Sequence, residues 1–293
     1  MEKKSAGYLG KALLIEIRPI PMAMAILAAL FGAVLGYAYG VKYSNLLIHV
    51  ANVAVILYTS HLVDTYNDLN RAEYQRGYRR RWLFDSHDPS RVITLNPRHY
   101  LYAMACTYPV ALILTAILMN ETGPTYGLLA LTGLVLSAAY GCGLDRVLVL
   151  GDIAWEAGVI LAFVGGFYVI AHTIVPQILV MVILLMPILF GAKILDAEPD
   201  IDVDRKSTPR KNSIPVKLGL KNSHRLAYAA IIFPVIILCF LAPAINPTLI
   251  WPLLIALLLV IASYRYPAEK GVYFVAAGII LFLSWAILAI ASA

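Results

Sequence analysis

Charge is what this 293-residue sequence has least of. Asp, Glu, Lys and Arg together make up 14% of the chain, against about 25% in soluble globular proteins. Apolar residues fill 61% of it, and the mean hydropathy is +0.78. That balance excludes a soluble domain and implies a helical protein built to sit in lipid. Cysteine is also scarce. Cys106, Cys142 and Cys239 stand far apart with no metal-ligand spacing, so we expect small packed side chains and no disulfide framework. No leader-cleavage pattern precedes the first apolar run. The net charge of +6 does not indicate a nucleic-acid partner, because the basic residues are confined to particular connections, as membrane topology requires.

Runs of spanning length cover 19–40, 45–66, 99–119, 124–141, 150–172, 175–196, 224–242, 247–263 and 271–291. The expectation is therefore an all-α integral membrane protein, a single domain over 1–293 with a bundle of about nine transmembrane helices. Lys and Arg gather in the N-terminal tail and in the even-numbered connections, most densely around Arg76–Arg81 and Arg205–Lys221, while Lys42 is nearly alone in the odd ones. The positive-inside rule then puts the N-terminus in the cytoplasm and, with nine helices, the C-terminus outside.

The few acids are not scattered. One group, Asp64-Thr-Tyr-Asn-Asp68, ends the second run, and another, Asp196-Ala-Glu-Pro-Asp200-Ile-Asp-Val-Asp204, ends the sixth. Acids beside membrane segments are costly and point to function. Residues at i and i+4 share a helix face, so Asp64/Asp68 and Asp200/Asp204 each form a carboxylate pair, both at cytoplasmic helix ends in this topology. Two such faces would make an oxygen-rich cage for Mg2+, an ion usually held by one or two carboxylates together with substrate phosphates. Nearby Arg and Lys would neutralise the remaining phosphate oxygens. A diphosphate at the interface with a hydrocarbon tail in the bundle uses every part of this arrangement, and that ligand is a prenyl diphosphate. Asp202 falls off the paired face and reads as solvated or paired with Arg205. His61 reads as a packed or hydrogen-bonded histidine.

The second acidic segment with Arg205-Lys206, followed by Ser213-Ile-Pro-Val-Lys-Leu-Gly219, resembles the second motif of the UbiA superfamily of intramembrane prenyltransferases. Arg18-Pro19, Arg91 to Pro97, and Tyr140 with Arg146 echo other stretches of that family, so the resemblance runs along nearly the whole chain. The family's first motif, NDxxDxxxD, is only partly kept. One register begins at Asp64 and the other at Asn67-Asp68, and the first retains two carboxylates on one face. The resemblance implies a nine-helix bundle and a multi-pass enzyme of the cell membrane whose active site faces the cytoplasm. It implies Mg2+ held by Asp64, Asp68, Asp196, Asp200 and Asp204, with Asp68, Asp200 and Asp204 also catalytic. It implies diphosphate binding by Arg18, Asn67, Tyr140, Arg146, Lys193 and Lys206. The reaction implied is transfer of a polyprenyl group to a lipophilic or membrane-associated acceptor. A terpene cyclase or lyase acting without an acceptor, a secondary transporter, and a non-catalytic lipid-binding paralogue are the alternatives left open by the residues themselves.

Overall fold

The computed structural model describes residues 19–37, 43–69, 97–206, 212–245 and 250–265. Among them the fold is helical: α1 (Pro19–Gly36), α2 (Tyr43–Leu69), α3 (Pro97–Thr122), α4 (Pro124–Gly141), α5 (Leu150–Ala171), α6 (Pro176–Ala197), two short helices α7 (Ile201–Lys206) and α8 (Ile214–Leu218), α9 (Leu220–Ile245) and α10 (Ile250–Ser263). Five helices are long and apolar enough to cross a membrane, with shorter apolar helices at Pro21–Gly36 and Leu253–Ser263. Eight of the nine expected runs thus coincide with helices. The ninth run, 271–291, lies outside the described residues, as do the N-terminal tail and the Arg76–Arg81 connection.

Lipid explains the choice of structure. Backbone N–H and C=O groups find no water there, so each segment must satisfy its own, which a helix does. Proline marks where several helices begin. α1, α3, α4 and α6 open on Pro19, Pro97, Pro124 and Pro176, where a missing N–H costs nothing and the fixed φ suits the first turn.

Among the described residues the tightest packing joins α1 to α5, which make the most extensive helix–helix contact there. A Cβ placed on Gly32 would overlap the carbonyl oxygen of Phe163, and one on Gly166 would overlap that of Ala29. A Cβ on Gly36 would come within 2.9 Å of the Phe167 carbonyl oxygen. The spacing Gly32-xxx-Gly36 is the small-residue pattern that lets helix backbones meet inside a membrane. Around the contact, Phe31 packs on Phe163 with ring centroids 5.7 Å apart. These rings join Phe167, Ile178, Ile188 and Leu253 in one core. α2 lies against α3, α4 and α1, and α9 lies against α6 and α10.

Gly32→Val should cost about 2 kcal/mol through overpacking and lower the thermal-inactivation midpoint in detergent. Gly158→Ala, at a position where nothing lies within 4 Å of the added carbon, should leave the midpoint unchanged or raise it slightly. Equal midpoints for Gly32→Val and wild type would remove the close crossing as a source of stability.

Candidate active site

One face of α2 lines a cavity of about 1100 Å³, its mouth included. His49, Asn52, Val53, Ile56, Ser60 and Asp64 follow one another along that wall, in the i, i+3, i+4 rhythm of a helix stripe. At 1.5 Å per residue, His49 and Asp64 stand about 22 Å apart along the helix axis. The Asp64 end is completed by Tyr140 from the last turn of α4, Trp155 from the second turn of α5, and Lys193 and Asp196 from the last two turns of α6. The middle of the wall is apolar, with Leu57, Leu129, Ala130 and Val159.

Local contacts fix this end. Asn67 Nδ2 donates to the Gly141 carbonyl at 2.8 Å, tying α2 to the end of α4. Gly141 is a glycine for want of space, since a Cβ there would stand 2.8 Å from both the Asp64 backbone nitrogen and Val63 Cγ1. Lys193 Nζ donates to Asp196 Oδ2 at 2.8 Å. The lysine side chain is 13% exposed and the aspartate 64%. The same ammonium lies 5.5 Å from the centroid of the Trp155 ring, within range of a cation–π attraction. A partly desolvated cation beside a solvent-facing carboxylate is suited to binding an anion through the lysine and a cation through the acid.

The second acidic segment is not one uninterrupted α-helix, although the residues that separate Asp200 from Asp204 are helical. α6 gives way to a 3-10 turn, Glu198–Asp200, before α7 begins at Ile201. Pro199 sits inside that turn, where it can donate no backbone hydrogen bond. Glu198 is 2% exposed. It accepts from Ser223 Oγ at 3.1 Å and from His224 Nδ1 at 2.9 Å. His224 Nε2 faces the Tyr264 carbonyl at 3.3 Å, so a protonated imidazole would donate at both nitrogens. Burial pushes the Glu198 carboxyl above its ordinary range, and the bonds from His224 and Ser223 pull it partly back. Asp204 is buried and its Oδ2 accepts from Ser213 Oγ at 3.0 Å. Ser213 precedes α8 without capping it, because its hydroxyl is committed to Asp204. Gly219 closes α8 at φ +76°, a left-handed value that favours glycine.

The structure thus brings Asp64, Tyr140, Lys193 and Asp196 to one cavity. It places Asn67 on Gly141 and Asp204 on Ser213, neither of them in the cavity lining. Arg146 is half-buried in a short turn, Leu144–Arg146, and its carbonyl accepts from the Asn212 backbone at 3.4 Å. Arg18 lies outside the described residues, and so do the side chains of Asp68, Asp200 and Lys206. Among the described residues no three His, Cys, Asp or Glu side chains converge as a metal cluster. The cysteines are free. Asp202 is exposed and His61 is buried on the cavity wall.

Sequence reasoning overlooked Trp155 beside Lys193, and it overlooked the acid pair Asp152 and Glu156. Their i, i+4 spacing inside an apolar run was the available signal. Glu156 is 3% exposed, with Oε1 unpartnered. It also overlooked the buried polar group His49, Asn52 and Tyr126 at the far end of the cavity. These residues sit on different helices, and only the fold joins them.

The model of the UbiA prenyltransferase family matches residues 88–273. No curated protein matches the chain at a significant level. Among solved structures, one concerning digeranylgeranylglyceryl phosphate synthase in membranes is similar with TM-score 0.66 and 14% identity, covering 98% of this chain and 99% of that one. An apo UbiA homologue from Aeropyrum pernix K1 gives TM-score 0.65 and 14% identity over 90% of this chain and 96% of that one. A UbiA homologue from Archaeoglobus fulgidus bound to GPP and Mg2+ gives 0.64 and 15% over 94% and 99%. At these identities the likeness is one of fold.

The Glu198 contacts carry a test of their own. A carboxyl with a raised folded-state pKa takes up protons more readily in the folded protein than in the unfolded one. Its contribution to stability is therefore present at acid pH and declines as pH rises from the ordinary carboxylate range through the raised value. Glu198→Gln should flatten this decline in thermal-inactivation midpoint, and Glu198→Ala should cost about 1–3 kcal/mol at neutral pH by stripping Ser223 and His224 of their acceptor. Identical pH profiles for wild type and Glu198→Gln would contradict the assignment.

Proposed function

This chain belongs to the UbiA prenyltransferase family, and on that premise we propose that it transfers a polyprenyl group from a prenyl diphosphate to a lipophilic or membrane-associated acceptor. The observation that carries the proposal is a single cavity with Asp64, Asp196 and Lys193 at one end and an apolar wall leading away from them. The Archaeoglobus fulgidus homologue bound to GPP and Mg2+ supports the same ligand class for this chain.

Asp64 and Asp196 offer hard oxygen donors from two helices to one mouth, a donor set that fits Mg2+. Asp68, Asp200 and Asp204 are the further carboxylates of the two motifs. Bound there with the substrate, Mg2+ supplies Lewis-acid stabilisation of the departing diphosphate. Lys193 contributes a cation to the phosphate oxygens, exchanging its bond to Asp196 for bonds to the ligand. Arg18, Arg146 and Lys206 are the other cations we assign to the diphosphate. The C1–O bond of the prenyl diphosphate breaks, and diphosphate leaves with the electron pair. The allylic cation that remains is flanked by the Tyr140 and Trp155 rings, whose π faces favour positive charge. The acceptor's nucleophilic atom bonds to C1, and its proton passes to a carboxylate at the acidic end of the cavity. In our reading the chain spans the cell membrane with the acidic end of the cavity toward the cytoplasm, in keeping with the Lys- and Arg-rich connections at that end.

Purified protein should release diphosphate from a prenyl diphosphate only with Mg2+ and an acceptor, and EDTA should stop the release. Asp64→Asn and Asp196→Asn should each lower the rate at least about 100-fold, the size of loss seen when one electrostatic stabiliser is removed. Lys193→Met should chiefly raise KM. Release without an acceptor would turn the assignment toward a cyclase or lyase. Wild-type rates in both Asp variants would remove the carboxylates from the mechanism.

A further inference from the structure

The inner end of the cavity is polar, and its hydrogen bonds run in a determinate direction. His49 Nε2 lies 3.0 Å from the Ala162 carbonyl, which only accepts, so this nitrogen carries the proton. In the neutral ring Nδ1 then accepts, and its partner at 2.9 Å is the Tyr126 hydroxyl. That hydroxyl, having donated to His49, accepts from Asn52 Nδ2 at 3.1 Å. The other amide proton of Asn52 goes to Thr115 Oγ1 at 2.9 Å. The sequence of donors leaves one group over, Asn52 Oδ1, which is buried with no partner. Asn52 is 0% exposed, Tyr126 1% and His49 3%, yet all three line the cavity.

The wall they form is unyielding. A Cβ on Gly165 would stand 2.7 Å from His49 Cε1, so the imidazole rests against the α5 backbone. The Tyr126 ring meets the imidazole edge-on with centroids 5.6 Å apart. None of the three side chains can swing aside without breaking a buried hydrogen bond. A prenyl tail entering from a bilayer gains no hydrophobic driving force, because lipid is as apolar as the cavity. It gains packing along Ile56, Leu57 and Val53. At Asn52 it meets a buried carboxamide whose Oδ1 has no partner, and it can offer that group no donor.

We infer that Asn52, held by Tyr126 and His49, is the stop that sets the length of prenyl chain the cavity accepts. Asn52 and Asp64 are twelve positions apart on α2, so the stop stands about 18 Å along the helix from the acidic end. This inference rests on the proposed prenyl diphosphate site and names the substrate class within it. Chains that end short of Asn52 fit, and longer ones are excluded from the inner end.

The test is equilibrium binding of radiolabelled geranyl, farnesyl, geranylgeranyl and octaprenyl diphosphates to the full-length protein in detergent with Mg2+. Wild-type affinity should rise with length and then fall about tenfold or more once the tail reaches the amide. Asn52→Ala, which both removes the amide and lengthens the chamber, should move the fall to a chain at least one isoprene longer. Asn52→Leu, which removes the polarity and keeps the bulk, should lessen the fall without moving it. Tyr126→Phe, which bares Asn52 Nδ2 and His49 Nδ1, should steepen it. A wild-type affinity that climbs steadily through octaprenyl diphosphate would overturn the inference whether or not the variants fold. So would a fall that stays at the same chain length in Asn52→Ala and at the same depth in Asn52→Leu, in proteins that still bind the short chains. Failure of every chain to bind would instead remove the diphosphate site on which the inference stands.

Discussion

The close crossing of α1 and α5 carries the rest of the bundle. In lipid there is no hydrophobic gain from bringing two apolar helices together, so the contact must come from fit. Gly32 and Gly166 supply it by leaving room for the carbonyls of Phe163 and Ala29. Once α5 is seated, its cavity-facing residues follow. Trp155 lies at the acidic end, and Ala162 and Gly165 back the imidazole of His49 at the other. A change at the crossing therefore acts on both ends of the cavity at once.

Two neighbouring acids show how burial separates structure from chemistry. Glu198 and Asp196 are two residues apart, yet one is 2% exposed and bonded to Ser223 and His224, while the other is 64% exposed in its side chain and bonded to Lys193. Asp196 lies in the last turn of α6, and Glu198 opens the 3-10 turn that follows it. Buried and paired, Glu198 anchors α9 to the end of α6. Exposed and beside a cation, Asp196 keeps oxygen atoms available to a ligand.

The helices were legible in the sequence because lipid allows so little else, and their beginnings because proline marks several of them. Asp64 and Asp196 stood out as acids closing apolar runs, whereas Lys193 and Tyr140 were named through the family resemblance; all four line one cavity. The side chains of Asp68 and Asp200 lie outside the described residues, so the i, i+4 pairs expected in both acidic segments are each described at one member only. The settings of Asn67 and Asp204 depend on partners that spacing on one helix does not reveal. Asn67 bonds to a carbonyl 74 positions away, and Asp204 to the serine just before the next short helix. The polar inner end was harder still. His49 and Asn52 lie three apart within an apolar run and look like incidental polar residues. Their meaning rests on Tyr126, 77 positions from one and 74 from the other.

The placement of Trp155 has an optical consequence. Its indole is packed in the cavity lining with an ammonium 5.5 Å from its ring centre. An indole's emission responds to the electric field across it, and the Lys193 ammonium contributes to that field. A ligand that draws the lysine away, or lies against the ring, changes the field and with it the colour and yield of emission. The protein thus carries an intrinsic fluorophore at the point where an anionic headgroup would meet the bundle, and it needs no added label to report what enters.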